Sequence, residues 1–320
     1  MPPIARFAWA TLACNVAVVL WGAYVRATGS GAGCGNKWPA CGGAVLGANA
    51  RAQTIIEFTH RLTSGVALLM VGVLVVWCWR ATTKRDWARY AAILAAVLLA
   101  NEALLGAALV RLGYVDQDKS LGRILFLCLH FGNTLLLLAM LTLAACWLRT
   151  VNRNFTLIRK PRHVIAIGTG LFAAMLIGIT GAIAALGDTL FPATSLRSSL
   201  AQDFSSGAPA ILHLRVLHPI VAVIASAYVL WVIFKTALSQ TRPSRSAIAL
   251  VALFFAQIVL GIINVLLLAP VWLQILHLGI ADMLWIVLVI VSADLSLNHE
   301  LESDALLMPT DNMRTEELPR

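Results

Sequence analysis

The chain has 320 residues, 60% of them hydrophobic and 12% charged, with a formal net charge of +9. Globular domains run at roughly 45–50% apolar and about 25% charged, so a soluble domain, a disordered chain, a collagen-like repeat, a disulfide scaffold and a soluble nucleic-acid-binding protein are all excluded. A mean hydropathy of +0.84 describes a polytopic membrane protein, because about 20 helical residues cross the roughly 30 Å apolar core of a bilayer.

In chain order, apolar windows cover 7–27, 54–79, 88–110, 123–148, 164–186, 210–235, 246–268 and 271–293, and each is a predicted transmembrane helix. The first follows Arg6, lacks a small-residue cleavage site and is long enough to span, so it reads as a retained helix rather than a cleaved leader. Alternate connections are basic: Arg80, Lys84, Arg85 and Arg89 in one, Arg149, Arg153, Arg159, Lys160 and Arg162 in the next, Lys235, Arg242 and Arg245 in the third. The connections 28–53, 111–122, 187–209 and Ala269-Pro270 are poor in Lys and Arg for their length. The positive-inside rule places the basic loops and both termini in the cytoplasm of a cell membrane. The net charge is then a topology signal facing membrane lipid, with no nucleic acid implied.

The expected fold is an all-α membrane protein of eight transmembrane helices, arranged as two pseudo-repeated four-helix bundles. The expected divisions are 1–150, 151–298 and a polar cytoplasmic tail over 299–320. The repeat is visible in paired segments: Leu129-His130-Phe131-Gly132 with Leu276-His277-Leu278-Gly279, His60-Arg61-Leu62 with His218-Pro219-Ile220, and Glu102-Ala103-Leu104-Leu105-Gly106 with Gln257-Ile258-Val259-Leu260-Gly261. Gly22 and Gly181 also fall at matching places.

Cys14, Cys78, Cys128 and Cys146 lie inside apolar windows, where a thiol is a small hydrophobe. Cys34 and Cys41 flank Gly35-Asn36-Lys37-Trp38-Pro39-Ala40 in the first external loop. That spacing is poor for zinc and suits a disulfide, structural or redox-active, on the oxidising face. Two unpaired loop thiols are the plainer alternative.

His60, His130, His218 and His277 lie in the even-numbered windows, about six to eight residues past each start, or roughly 9–12 Å down the axis. They form one layer toward the outer face. A single buried histidine is as readily a satisfied packing residue as a ligand; four at one depth, two per half, are not. Facing imidazoles inside a dry bundle suit the two axial positions of haem iron. Zinc or copper would want further Cys, carboxylate or His ligands at that level. The pairs are therefore His60 with His130 and His218 with His277. His163 and His299 fall in a basic loop and in the tail. Glu57, one turn outward of His60, is a candidate for proton handling or charge stabilisation, or else an interfacial acid paired with Arg61 or Arg51. Arg215, at the matching place before His218, suits a haem propionate.

Gly22-Ala23-Tyr24-Val25-Arg26-Ala27-Thr28-Gly29-Ser30-Gly31 with Cys34 and Trp38-Pro39-Ala40-Cys41 resembles the first helix and loop of the haem A synthases. Glu57-Phe58-Thr59-His60-Arg61 and Leu276-His277-Leu278-Gly279-Ile280-Ala281-Asp282 are similar as well. The resemblance implies an oxidoreductase that converts haem O to haem A for cytochrome oxidase. A ring methyl is carried to a formyl group by successive hydroxylations with water-derived oxygen. It implies a haem B (iron) cofactor on His218 and His277, and haem O as substrate in the N-terminal half on His60 and His130, with Glu57 catalytic. It leaves room for a homo-oligomer, and for association with a haem O synthase or with cytochrome oxidase assembly factors. The chain departs from many bacterial members in having no cysteine pair in 187–209. A di-haem cytochrome b passing electrons from quinol would use the same four ligands without needing Glu57 or the Cys34–Cys41 loop; a haem transporter or chaperone is a weaker alternative.

Overall fold

The structure is a computed structural model that describes residues 1–41, 51–84, 86–149, 161–238 and 244–306, the side chains of 161–163 and 296–306 apart. Arg85, Arg153, Arg159, Lys160, Arg242, the side chains of Arg162, His163 and His299, and the tail from 307 lie outside the described residues. The described chain is helical, with no strand: α1 (Pro3–Ala27), α2 (Ala52–Ala81), α3 (Trp87–Arg111), α4 (Leu121–Trp147), α5 (Pro161–Leu190), α6 (Leu196–Asp203), α7 (Ala210–Arg215), α8 (Leu217–Ile233), α9 (Arg245–Leu266) and α10 (Val271–Leu306). Eight segments are long and apolar enough to cross a membrane, the sixth made of α7, α8 and a π-helical turn over Phe234–Leu238. The chain is a multi-pass membrane protein.

Local chemistry sets the helix ends. Pro3 opens α1, where its missing N–H costs nothing, and Gly29, left-handed at φ 64°, follows its end. Asp86, Ser120 and Ser244 cap α3, α4 and α9 by accepting from the N–H groups of Ala88, Arg123 and Ala247, each such cap contributing about 1 kcal/mol. The sixth window breaks at Val216. Pro219 has no N–H for the Arg215 carbonyl and its ring crowds that oxygen, so α7 stops and α8 restarts on a new axis. The segment 187–209 is not simply a loop: α5 runs on to Leu190, and α6 folds over with a reciprocal Ser195–Ser198 capping box. At the other end α10 continues to Leu306, past the expected division at 298.

Packing orders the spans. α1 to α4 close a ring in which α1 meets α2 and α4, and α3 meets α2 and α4. In the second half α5 packs on α8 and α9 on α10, while α8 scarcely touches α9. The halves meet through α1 and α4 on one side and α5 and α10 on the other. Ala5, Ala8, Ala88, Ala92 and Ala95 are fully buried, and small side chains let membrane helices approach closely. Leu69 and Val223, 72% and 71% exposed, point outward on a surface that only lipid would cover.

Candidate functional site

The four histidines occupy α2, α4, α8 and α10, each half-buried and in the N-terminal part of its span. Each faces a glycine on the preceding span. A methyl placed on Gly22 would stand 2.9 Å from Cε1 of His60, on Gly106 3.7 Å from that of His130, on Gly181 3.1 Å from that of His218, and on Gly261 3.3 Å from that of His277. Four glycine–histidine contacts, two in each half, keep the space beside each ring clear of side chain.

The ring nitrogens are sparsely bonded. Nδ1 of His60, His130 and His277 are buried without a hydrogen bond, and Nδ1 of His218 lies 3.2 Å from the Thr180 hydroxyl. A buried polar atom without a partner costs about 1–3 kcal/mol. Among the described residues, no three His, Cys, Asp or Glu side chains converge as a metal-ion cluster. Two half-buried imidazoles per half, with no third ligand-bearing side chain converging on them among the described residues, fit the axial requirement of a haem better than that of a bare ion.

Glu57 is 3% exposed and both of its oxygens are used. Oε1 accepts from Arg61 one turn along α2, and Oε2 accepts from the Cys34 N–H at 2.7 Å. Arg61 also donates to the carbonyls of Lys37 at 2.6 Å and Pro39 at 3.1 Å, while Thr54 binds the Gly33 carbonyl at 2.7 Å. The loop is thus tied to α2 above His60, and Cys34 and Cys41 are paired within it with Cα atoms 4.8 Å apart.

The Arg215 guanidinium meets Asp203 at 2.6 and 2.9 Å, Asp188 at 3.1 Å and the Ser199 hydroxyl at 3.1 Å. Two carboxylates of the chain itself, one delivered by α6, thus surround the side chain proposed for a haem propionate. His213, in the same short helix, is exposed.

Several polar residues at this level were not anticipated. Arg26 reaches from α1 into the other half, donating to the Ala185 carbonyl at 2.6 Å, the Thr189 hydroxyl at 2.7 Å and Gln274 Oε1 at 3.0 Å. Glu102 lies 3.3 Å from Nδ1 of His130, and Gln257 3.2 Å from Nε2 of His277. Asp282, present in the sequence only as the end of the His277 segment, is fully buried with both oxygens unpartnered.

Residues 5–289 match the family model described as cytochrome oxidase assembly protein, and the chain belongs to that family. It is similar to a Protoheme IX farnesyltransferase of Thermus thermophilus, 43% identical over 290 residues that make up 89% of this chain and 47% of the relative. A Heme A synthase of Geobacillus kaustophilus is 36% identical over 150 residues, 47% of this chain and 45% of the relative. One from Bacillus mycoides is 38% identical over 138 residues, 43% of this chain and 42% of the relative. The chain spans about half the length of the curated relatives it matches.

Proposed function

We propose that this member of the cytochrome oxidase assembly family is a haem A synthase, an oxidoreductase that carries a ring methyl of haem O to a formyl group. The observation that carries the reading is the set of four histidines, two in each half and each faced by a glycine, in a chain similar to proteins named Heme A synthase. The Thermus relative is named for farnesyl transfer to protoheme IX, and a likeness to part of that protein agrees with a farnesylated haem as substrate and with a farnesyltransferase as working partner. In this reading the units are residues 1–150 for the substrate and 151–298 for the cofactor. The chain sits in the cell membrane with both termini cytoplasmic and the histidines toward the outer face.

His218 and His277 would hold a haem B, which supplies one-electron redox chemistry when bound. His60 and His130 would orient haem O through its iron, and Gly22 and Gly106 let those two rings lie close against the backbone of the preceding span. Each of two hydroxylations adds water oxygen to the methyl carbon, passes two electrons to an external one-electron acceptor and releases two protons, and the resulting gem-diol loses water to leave the formyl group. Glu57, fixed by Arg61 and the Cys34 N–H, lies one turn outward of His60 to stabilise positive charge at that carbon or to receive a proton from the water. The Cys34–Cys41 loop covers this corner.

Haems extracted from cells making haem O, with and without the chain, decide the matter. A formyl haem that appears only with the chain is the expected result. Bound haem with no new haem species would instead identify an electron-transfer cytochrome b. Labelling from outside should reach 187–209 and spare Lys84; the reverse would invert the topology.

A further inference from the structure

Glu102 is an acid in the membrane with neutral partners. Its Oε2 accepts from Asn133 Nδ2 at 2.5 Å; its Oε1 accepts from the Thr134 hydroxyl and lies 3.3 Å from His130 Nδ1. Asn133 is fixed in turn, donating to the Leu98 carbonyl at 2.9 Å and accepting from Asn101 at 2.8 Å. Thr134 closes the network on the His130 carbonyl at 3.0 Å. Among the described residues no lysine or arginine pairs with Glu102, so the nearest group that can answer its charge is the imidazole. A carboxylate is not left at such depth without a counter-charge or a function.

The second half lacks the whole device. Register from the histidines and from the Glu102/Gln257 match sets Ala256 against Asn101, Ile280 against Asn133 and Ala281 against Thr134. The acid has become an amide, and the three side chains that hold it have become apolar. Gln257 meets His277 at Nε2 rather than Nδ1, and as a neutral amide it exerts no charge on the ring. Mere adhesion between α3 and α4 would be served as well by Gln; the difference between the halves is one of charge.

We propose that Glu102 is a positioning residue for His130: its Oε1, 3.3 Å from Nδ1 though not hydrogen-bonded to it, sets a negative charge behind the ring, favours Nε2 for the iron, and makes this imidazole the more electron-rich of the two α4/α10 ligands. The inference rests on the haem reading above. A carboxylate behind a ligating imidazole raises its basicity, which favours the ferric over the ferrous iron. The N-terminal site should therefore have the lower reduction potential through the chain's own design.

The test uses the full chain in a His218→Ala background, produced with a haem O source, so that the remaining haem reports the N-terminal site. Glu102→Gln should retain that haem and shift its oxidised-to-reduced ratio at fixed potential toward reduced, by about tenfold, which is about 59 mV for a one-electron couple. Thr134→Val removes a donor from Oε1, throws the acid's charge onto His130, and should move the potential the opposite way. A purely structural role would give neither shift, or shifts of one sign. Haem retained in both variants with an unchanged potential overturns the proposal alone. A haem spectrum that does not respond to His130→Ala overturns the haem reading as well. Should Glu102→Gln fail to accumulate, the sign of the Thr134→Val shift still decides.

Discussion

Gly22 lies against His60 so closely that a single added methyl would come within 2.9 Å of the ring's Cε1, shorter than carbon atoms tolerate. Gly181 stands in the same relation to His218 at 3.1 Å. Glycine is used at both positions because the ring, or a planar group bound to it, must approach the backbone of the neighbouring helix.

Gly22→Ala should therefore displace His60 while leaving the helix, for which Ala is the better former, intact. Overpacking of this kind costs about 1–3 kcal/mol. The expected result is loss of haem from the N-terminal site with normal protein yield, read from haem content and the visible spectrum. Full haem content would show that this space is not needed.

Glu57→Gln keeps size and the acceptor for the Cys34 N–H but removes the charge that holds Arg61. General-base assistance is worth about 10²–10⁴ in rate, so haem A should nearly disappear from extracted pigments, with haem O or its singly hydroxylated form accumulating. A normal haem A yield would leave Glu57 as a structural anchor of the loop.

Arg215→Leu strands Asp188 and Asp203 around an apolar side chain. Removing one partner of a buried ion group costs about 3–5 kcal/mol, so thermal stability in detergent should fall sharply. Adding Asp203→Asn should recover part of it. If Arg215→Leu were as stable as the parent and altered only the haem potential, the propionate expectation from the sequence would stand instead.

Arg26→Leu leaves Gln274 Oε1 without its donor, while the Ala185 carbonyl keeps only the Thr189 hydroxyl as a side-chain donor. An orphaned buried acceptor costs about 1–3 kcal/mol, and the loss should fall on the contact between the halves. Combining it with Gln274→Leu should cost less than the sum of the two changes in thermal unfolding. Strict additivity would mean that the contact carries no stability.

Hydropathy and the spacing of His60, His130, His218 and His277 made the eight spans and the histidine layer legible in the sequence, because both depend on periodicity within one helix. The break at Val216 was also written there, in Pro219, but an apolar window average does not register it. The protein partners of Arg215 were not legible because they come from Asp188, past the expected end of the fifth window, and from Asp203 on α6, inside a segment that reads as loop. The setting of Glu102 was hidden for a related reason: Asn133 and Thr134 become its partners only through the rotation of α4 about its own axis, and composition does not encode that.

Arg26 and Trp285 both bond across the halves, at different depths. Arg26 fastens the C-terminal end of α1 to α5 and α10. Farther along α10, the Trp285 indole N–H donates to the Leu135 carbonyl on α4 at 2.8 Å, buried from any solvent. A joint held at one level can pivot; one held at two cannot turn about either. The histidine pairs of the two halves are thereby kept at a set separation, and because tunnelling decays exponentially with distance, such bracing would make the rate of electron exchange between them a property of the scaffold rather than of its fluctuations.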